Sequence, residues 1–316
     1  MTEGLVRAPL ACPLAEERRG TVAVLGNLDG VHKGHQALIA EAGRLARALG
    51  APLSAVTFEP HPRRVFDPDA APFLLTMLGQ KADILRGLGC GSVLALPFTR
   101  ELSGLSPEAF VADVLGGVLG LRGVVVGDDF RFGAKRAGDA DALASLGAAS
   151  GIEVRALGVE GAGEGEGAEK FSSTTARQAL REGRPRDAAA VMGRPFAVAG
   201  TVLEGRRLAR QLDFPTANVA LGDLVRPAYG VYAVEADAAG ATHPGIANLG
   251  VRPTVDGETE LLEAHLFGFD GDLYGREVTV RLLDFLRPER RFDGVDALRS
   301  QIARDVEAAR ASHGHR

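Results

Sequence analysis

The sequence predicts a chain in two parts: an α/β unit built on a parallel sheet, then a small antiparallel β-barrel that ends in a helix. Two observations carry this. From Thr21 to about Gly183, short apolar runs alternate with stretches of helical period, which is the pattern of a parallel sheet flanked by helices. After about Arg186, strand-like runs follow one another between Gly and Pro turns, and the helical period returns only near the end. The length agrees, since 316 residues suffice for two domains at roughly 150 residues each. The boundary is placed so that the domains span residues 1–186 and 187–316.

In the first part Val22–Leu25, Ser54–Phe58, Ser92–Leu96, Val124–Val126 and Ile152–Leu157 read as buried strands. The helix after the first of them carries Leu38, Ile39, Ala42, Leu45 and Leu49 on one stripe, with Gly50 at the position that ends a helix in the left-handed region. Ser106-Pro107-Glu108 opens another helix, an N-cap followed by proline at the first helical position. The acidic, glycine-rich run Gly161–Glu169 interrupts this part and reads as a mobile loop. In the second part Ala197–Leu203, Val231–Ala236, Leu261–Phe267 and Glu277–Leu283 read as strands. Asp293 caps a final helix running to about Arg310.

Composition removes several classes of function. Hydrophobic residues at 46% and charged residues at 24% exclude a disordered or fibrous chain. A net charge of −5 without a long basic run leaves no source for the counterion release that drives nucleic-acid binding. No apolar run approaches the roughly 18 residues of a membrane span, so no membrane partner is expected. Cys12 and Cys90 lack metal or redox spacing and read as free thiols of a cytoplasmic protein.

The first strand empties into Gly26-Asn27-Leu28-Asp29-Gly30-Val31-His32-Lys33-Gly34-His35, which leads straight into a helix. A strand, a glycine turn and a helix N-terminus make an anion site, because backbone N–H groups and the helix dipole point at the same place. His32 and His35 flank Gly34, whose missing side chain lets a phosphate approach, so the inferred ligand is a nucleotide phosphate. Two zinc ligands are the competing reading; His61 is a further histidine, and no recognisable set completes it. No G-x-x-x-x-G-K-[ST] segment is present, so this is not a P-loop.

Phe171-Ser172-Ser173-Thr174-Thr175-Ala176-Arg177 offers hydroxyls, backbone donors and a guanidinium to phosphate oxygens, although alone it is an ordinary helix cap. Thr57-Phe58-Glu59-Pro60-His61-Pro62-Arg63 and Val126-Gly127-Asp128-Asp129-Phe130-Arg131-Phe132-Gly133 both follow strands, where open α/β sheets place ligands. Phe130 and Phe132 beside Asp129 suit a planar ring such as a flavin, and the same rings equally suit a plain core. In the second part Phe214-Pro215-Thr216-Ala217-Asn218 places a hydroxyl and an amide oxygen two residues apart, hard ligands of the kind Mg²⁺ shares with nucleotide phosphates; capping of backbone is the alternative. Glu263 shares a strand face with Leu261 and His265, read here as an inward position from which it could act as general base toward an alcohol, against the alternative of a solvated strand glutamate.

In this order the segments GNLDGVHKGH, TFEPHPR, VGDDFRFG, SSTTAR, FPTAN, NLGVRPT, EAHLFGFDGDLYG and RRFDGVDALRSQIARD resemble the prokaryotic bifunctional riboflavin kinase/FMN adenylyltransferase family, or FAD synthetases, over nearly the whole chain. The resemblance implies a Rossmann-like nucleotidyltransferase domain followed by a riboflavin kinase barrel. ATP would be co-substrate with Mg²⁺, riboflavin and FMN the acceptors, and FAD the product. It implies that His32 and His35 stabilise charge on the α-phosphate with Arg177, that Gly26, Asn27, Asp29, Gly34, Ser172, Ser173 and Thr174 bind ATP, and that Asp129, Phe130 and Phe132 hold flavin. In the kinase part Gly205, Arg210, Phe214, Pro215, Thr216 and Asn218 would bind ATP, Thr216 and Asn218 with the metal, and Glu263 would take the ribityl proton. The family usually has Phe at the position of Leu28 and Ile at those of Phe171 and Ala176, and its G-R-x-L-G segment reads Ala209-Arg210-Gln211-Leu212-Asp213 here. A single-activity FMN adenylyltransferase with an impaired, flavin-binding kinase domain is the alternative, and a flavin-binding regulator without catalysis is the alternative of another class.

Overall fold

The computed structural model describes residues 4–158, 171–203, 216–254 and 257–314. The chain divides into two compact units, one of Met1–Ala71 with Met77–Ser172 and one of Pro72–Thr76 with Ser173–Arg316.

The first unit runs β1 (Leu5–Arg7), β2 (Val22–Leu25), α1 (Lys33–Leu49), β3 (Leu53–Glu59), α2 (Pro62–Phe66), α3 (Leu78–Gly87), β4 (Ser92–Pro97), α4 (Arg100–Gly104), α5 (Pro107–Ala109, continued by wider π turns over Phe110–Val118), β5 (Gly123–Gly127), α6 (Ala140–Ala149) and β6 (Glu153–Leu157). All six strands are parallel, in the order β1-β4-β3-β2-β5-β6. From β2 the chain builds outward through β3 and β4 on one side and then crosses to β5 and β6 on the other, so the order reverses at β2, and the C-terminal end of β2 is where such sheets take ligands. Two apolar layers bury the sheet. Leu25, Val56, Leu94, Val124 and Val126 belong to one, while Val22, Val24, Ala55, Val93 and Val125 meet α1 in the other. Gly50 ends α1 at φ 58°, ψ 39°, as its position predicts, and Ser106 Oγ accepts from Ala109 N at 3.2 Å as the predicted N-cap.

The second unit opens with α7 (Ser173–Arg181) and α8 (Pro185–Met192). It continues through β7 (Phe196–Thr201), β8 (Ala217–Ala220), β9 (Gly230–Ala238), β10 (Ala241–Thr254), β11 (Gly257–Leu266) and β12 (Glu277–Pro288) to α9 (Val295–Gly314). The strands form one antiparallel sheet in the order β7-β12-β9-β10-β11-β8, and an antiparallel bridge from Leu203 to Asn218 brings its two edges together as a nearly closed barrel. Phe196, Val198, Tyr232, Val234, Leu262, Ala264, Val280 and Leu282 fill its interior. On the outside, Val231, Ala233 and Ile246 pack with Ala309 of α9.

Helix α7 and the first residues of α8, which precede residue 187, stand in the second unit, where Leu180 O accepts from Ala228 N at 2.9 Å. Helix α9 begins two residues after Asp293 and extends to Gly314, about four residues past the expected end near Arg310. The run Gly161–Glu169, expected as a loop, lies outside the described residues.

Candidate active sites

The loop between β2 and α1 is built on left-handed backbone: Leu28 has φ 49°, Gly30 φ 78° and Val31 φ 40°. A side chain in that region costs about 1–2 kcal/mol, so the neighbours must hold the loop. Leu28 and Val31 do so by burying completely with α1, and the third anchor is polar. Asn27 O accepts from Thr57 Oγ1 at 2.9 Å and from Lys81 Nζ at 2.8 Å, and Lys81 lies 3.2 Å from Thr57 Oγ1. Lys81 and Asp29 are each only 2% exposed. Burial pushes the Lys81 ammonium below the ordinary lysine range, against the pull of Asp29 and Glu59.

The loop delivers His32 to the N-cap of α1, where its Nδ1 accepts from His35 N at 3.4 Å. The imidazoles stack with centroids 3.7 Å apart and planes at 23°. Both rings thus stand over the first turn of α1 beside Gly34, where helix N–H groups favour negative charge. Lys33 Nζ lies 5.4 Å from the centre of the Phe171 ring. Among the described residues no group of three or more His, Cys, Asp and Glu is arranged to hold a metal.

At the ends of β3, β4 and β5 the aromatic residues separate by role. Phe132 is a core group: it is 6% exposed, packs at 5.6 Å against Phe110, and leaves no room for a Cβ at Gly138. It also forms an isolated antiparallel bridge with Gly138. Phe130 stacks on it at 5.8 Å and is half-buried, and Asp129 is exposed. Phe66, 58% exposed, adds a face unforeseen in the sequence, with Phe98 at 5.8 Å behind it.

In the second unit Ser173, Thr174 and Arg177 lie on α7, which buries Ala176 fully. Arg177 Nε donates to Phe73 O at 2.6 Å, and its guanidinium lies 5.7 Å from the Phe73 ring centre.

Glu263 shares a face with Leu261 and His265, but that face is the outer one. Leu262, Ala264 and Leu266 on the opposite face are buried in the barrel, so the inward placement is corrected: alternation tells which residues share a face, not which face is covered. The register places Glu263 between Asn218 of β8 and Asn248 of β10, a row of three adjacent positions on one side of the sheet. Asn248 Nδ2 donates to Glu289 Oε1 at 3.0 Å. Asn218 is 6% exposed, and its Oδ1 is buried without a hydrogen-bond partner among the described residues. Next to it Thr216 lines a cavity of about 410 Å³ whose wall includes Ala264, Leu266, Phe269, Asp272 and Tyr274. The sequence reading missed this wall, although the quoted EAHLFGFDGDLYG segment contains most of it. Gly205, Ala209, Arg210, Asp213, Phe214 and Pro215 lie outside the described residues.

Family models for FAD synthetase and riboflavin kinase match residues 14–175 and 192–313. A bifunctional riboflavin kinase/FMN adenylyltransferase of Pseudomonas fluorescens is 46% identical, with 94% of each chain covered. This chain belongs to the bifunctional riboflavin kinase/FMN adenylyltransferase family. The Escherichia coli K12 member is 41% identical, again over 94% of each chain. A crystal structure described as a macrolide-efflux protein of Streptococcus pneumoniae superposes with a TM-score of 0.83 at 29% identity, covering 97% of this chain and 98% of that one. Among the described residues no helix is long and apolar enough to cross a membrane. The FAD synthetase match spans β2 to β6 of the parallel sheet with the stacked histidines, and the riboflavin kinase match spans the barrel with the Asn218-Glu263-Asn248 row.

Proposed function

We propose that the loop after β2 and the outer face around Glu263 are the two active sites of a bifunctional enzyme of FAD biosynthesis. The protein phosphorylates riboflavin with ATP and transfers AMP from ATP to the resulting FMN. The observation that carries the site assignment is the pair of stacked imidazoles at the start of α1. An FMN phosphate oxygen attacks the α-phosphorus of ATP in line, and pyrophosphate leaves. The work is positioning plus stabilisation of phosphoryl charge, with no covalent intermediate. His32, His35 and the N–H groups beside Gly34 supply that stabilisation, and Gly26, Asn27 and Asp29 shape the loop. Asp129 and the rings of Phe130 and Phe66 offer the flavin a polar anchor and apolar faces. Ser172, Ser173, Thr174 and Arg177 enter on their chemistry, as hydroxyl and guanidinium donors to triphosphate oxygens.

For phosphorylation, the buried Asn218 Oδ1 and the Thr216 hydroxyl at the cavity wall fit a hard divalent cation carried by nucleotide phosphates. Mg²⁺ would supply charge neutralisation between phosphate oxygens there. Glu263, one strand over from Asn218, takes the proton of the riboflavin primary hydroxyl as that oxygen attacks the γ-phosphorus of ATP and ADP leaves. A cytoplasmic location goes with this reading, supported by the free thiols Cys12 and Cys90.

Incubating the protein with riboflavin, ATP and Mg²⁺ should yield FMN and then FAD. His35→Ala should abolish most FAD formation while FMN accumulates, and Glu263→Gln should block FMN formation while supplied FMN is still adenylylated. Loss of both activities in either folded variant would refute the two-site assignment. Conversion of supplied FMN alone by the wild type would mark the barrel as a flavin-binding domain without kinase activity.

A further inference from the structure

We propose that Lys81 is a positioning residue for FMN adenylyl transfer: its buried ammonium clamps the left-handed loop that presents His32 and His35. The inference rests on the site assignment above, and extends it to a residue outside the loop.

The ammonium sits beneath the loop, 2.8 Å from Asn27 O and 3.2 Å from Thr57 Oγ1, on a side chain that is 2% exposed. Asn27 is the last residue before the run Leu28–Val31, in which three of four residues have positive φ. That carbonyl receives two donors, Lys81 Nζ and Thr57 Oγ1, so the loop is tied at its entry to α3 and to β3 at once. The loop's other end is the N-cap of α1, where His32 accepts from His35 N. Between these ties Leu28 and Val31 hold conformations that side chains disfavour. Without the clamp at Asn27, the backbone has a route to relax, and the imidazoles move with it.

Burying a lysine ammonium carries a desolvation cost that surface placement would avoid, and a leucine would fill the same helix position. What a leucine lacks is a donor for Asn27 O and a positive charge facing Asp29, itself 2% exposed in the same loop. Glu59 at the end of β3 is the other carboxylate that acts on the ammonium. A displacement of about 1 Å at a reacting centre costs on the order of 100-fold in rate. The loss should fall chiefly on kcat, because the imidazoles that the clamped loop presents meet the transition state.

The test compares Lys81→Met, Lys81→Arg and His35→Ala in the full-length protein, measuring kcat and KM for FMN adenylylation and the rate of riboflavin phosphorylation. Lys81→Met should lower the adenylylation kcat by about 10–100-fold. The KM values for ATP and FMN should stay within about threefold and riboflavin phosphorylation should be unchanged. Lys81→Arg keeps the charge, but its larger planar guanidinium does not fit the buried place of a compact ammonium, so it should also lose kcat. It decides the matter if Lys81→Met does not fold. Wild-type kcat per folded molecule in Lys81→Arg, or a loss confined to KM, overturns the proposal. His35→Ala separates the two levels: if it retains adenylylation the site assignment itself fails, and if it loses activity while the Lys81 variants keep theirs, only the clamp fails.

Discussion

At Val31 two opposing costs meet. A side chain at φ 40° is strained by about 1–2 kcal/mol. Yet the residue is 0% exposed, and burial of a valine is worth about 1.5–3 kcal/mol. Glycine would add a further entropic cost of roughly 0.5–1 kcal/mol. Burial wins, so Val31→Gly should lower stability by about 1–2 kcal/mol on balance, readable by denaturant unfolding. A stabilised variant would show that strain dominates this loop. The two cysteines offer a second test. Cys12 is exposed and Cys90 is buried, with its thiol pushed up to about 12 by desolvation. A thiol reagent at pH 8 should therefore titrate one group in the native protein and two after denaturation. The folded state holds a proton on Cys90 that the unfolded chain releases above its ordinary thiol range. That stabilising contribution is present below about pH 9 and is lost as the pH climbs toward 12. Individual functional residues were unequally legible. His32 and His35 announce themselves beside a glycine turn, whereas Lys81 looks like any charge on a helix, because nothing in its local spacing shows that the helix turns it toward the loop.

Among the elements, the strands of the parallel sheet were legible because burial on both faces leaves unbroken apolar runs such as Val22–Leu25 and Val124–Val126. Strand β10 was not, since Pro244, Gly245, Gly250 and Pro253 break its pattern, although it pairs with both neighbours for most of its length. Strand β8 was hidden for another reason: its four residues, Ala217–Ala220, are too few to show a period, and Asn218 among them reads as a loop residue. The row of Asn218, Glu263 and Asn248 exists only through pairing register, which no single strand encodes. Helix starts were easier to read. Ser106 caps the helix that carries Phe110, Val111, Val114 and Leu115 into the core, so Ser106→Ala should cost about 1 kcal/mol in unfolding free energy of the first unit. An unchanged denaturation midpoint would mean that the cap hydrogen bond is replaced by water at no loss.

On the scale of the whole molecule, chain order and unit membership diverge at one short segment. Pro72–Thr76 lies between α2 and α3 in sequence yet belongs to the second unit. There Phe73 N and Leu74 N donate to Asp223 O at 3.1 and 3.0 Å, and Val225 N donates to Leu74 O at 2.7 Å. Phe73 and Leu75 are 2% and 1% exposed. No composition shift marks the segment, because five residues are too few to carry a period, and a boundary drawn once near residue 186 cannot include it. The assignment predicts a crossed pattern of heat inactivation. Leu45→Ala opens a cavity in the core of the first unit, where Leu45 is 0% exposed, and Phe73→Ala opens one in the second. Each should cost about 3 kcal/mol, which for units of this size lowers the midpoint by roughly 6–12 °C. Leu45→Ala should lower the temperature at which FMN adenylylation is lost and leave that of riboflavin phosphorylation in place. Phe73→Ala should move riboflavin phosphorylation, although Phe73 sits in the N-terminal quarter of the chain, and with it the part of adenylylation that depends on Arg177 of α7. If Phe73→Ala moved only adenylylation, the segment would belong with its sequence neighbours. If each variant moved both activities equally, the two units would unfold as a single cooperative body, and the separate cores would not act as separate sources of stability.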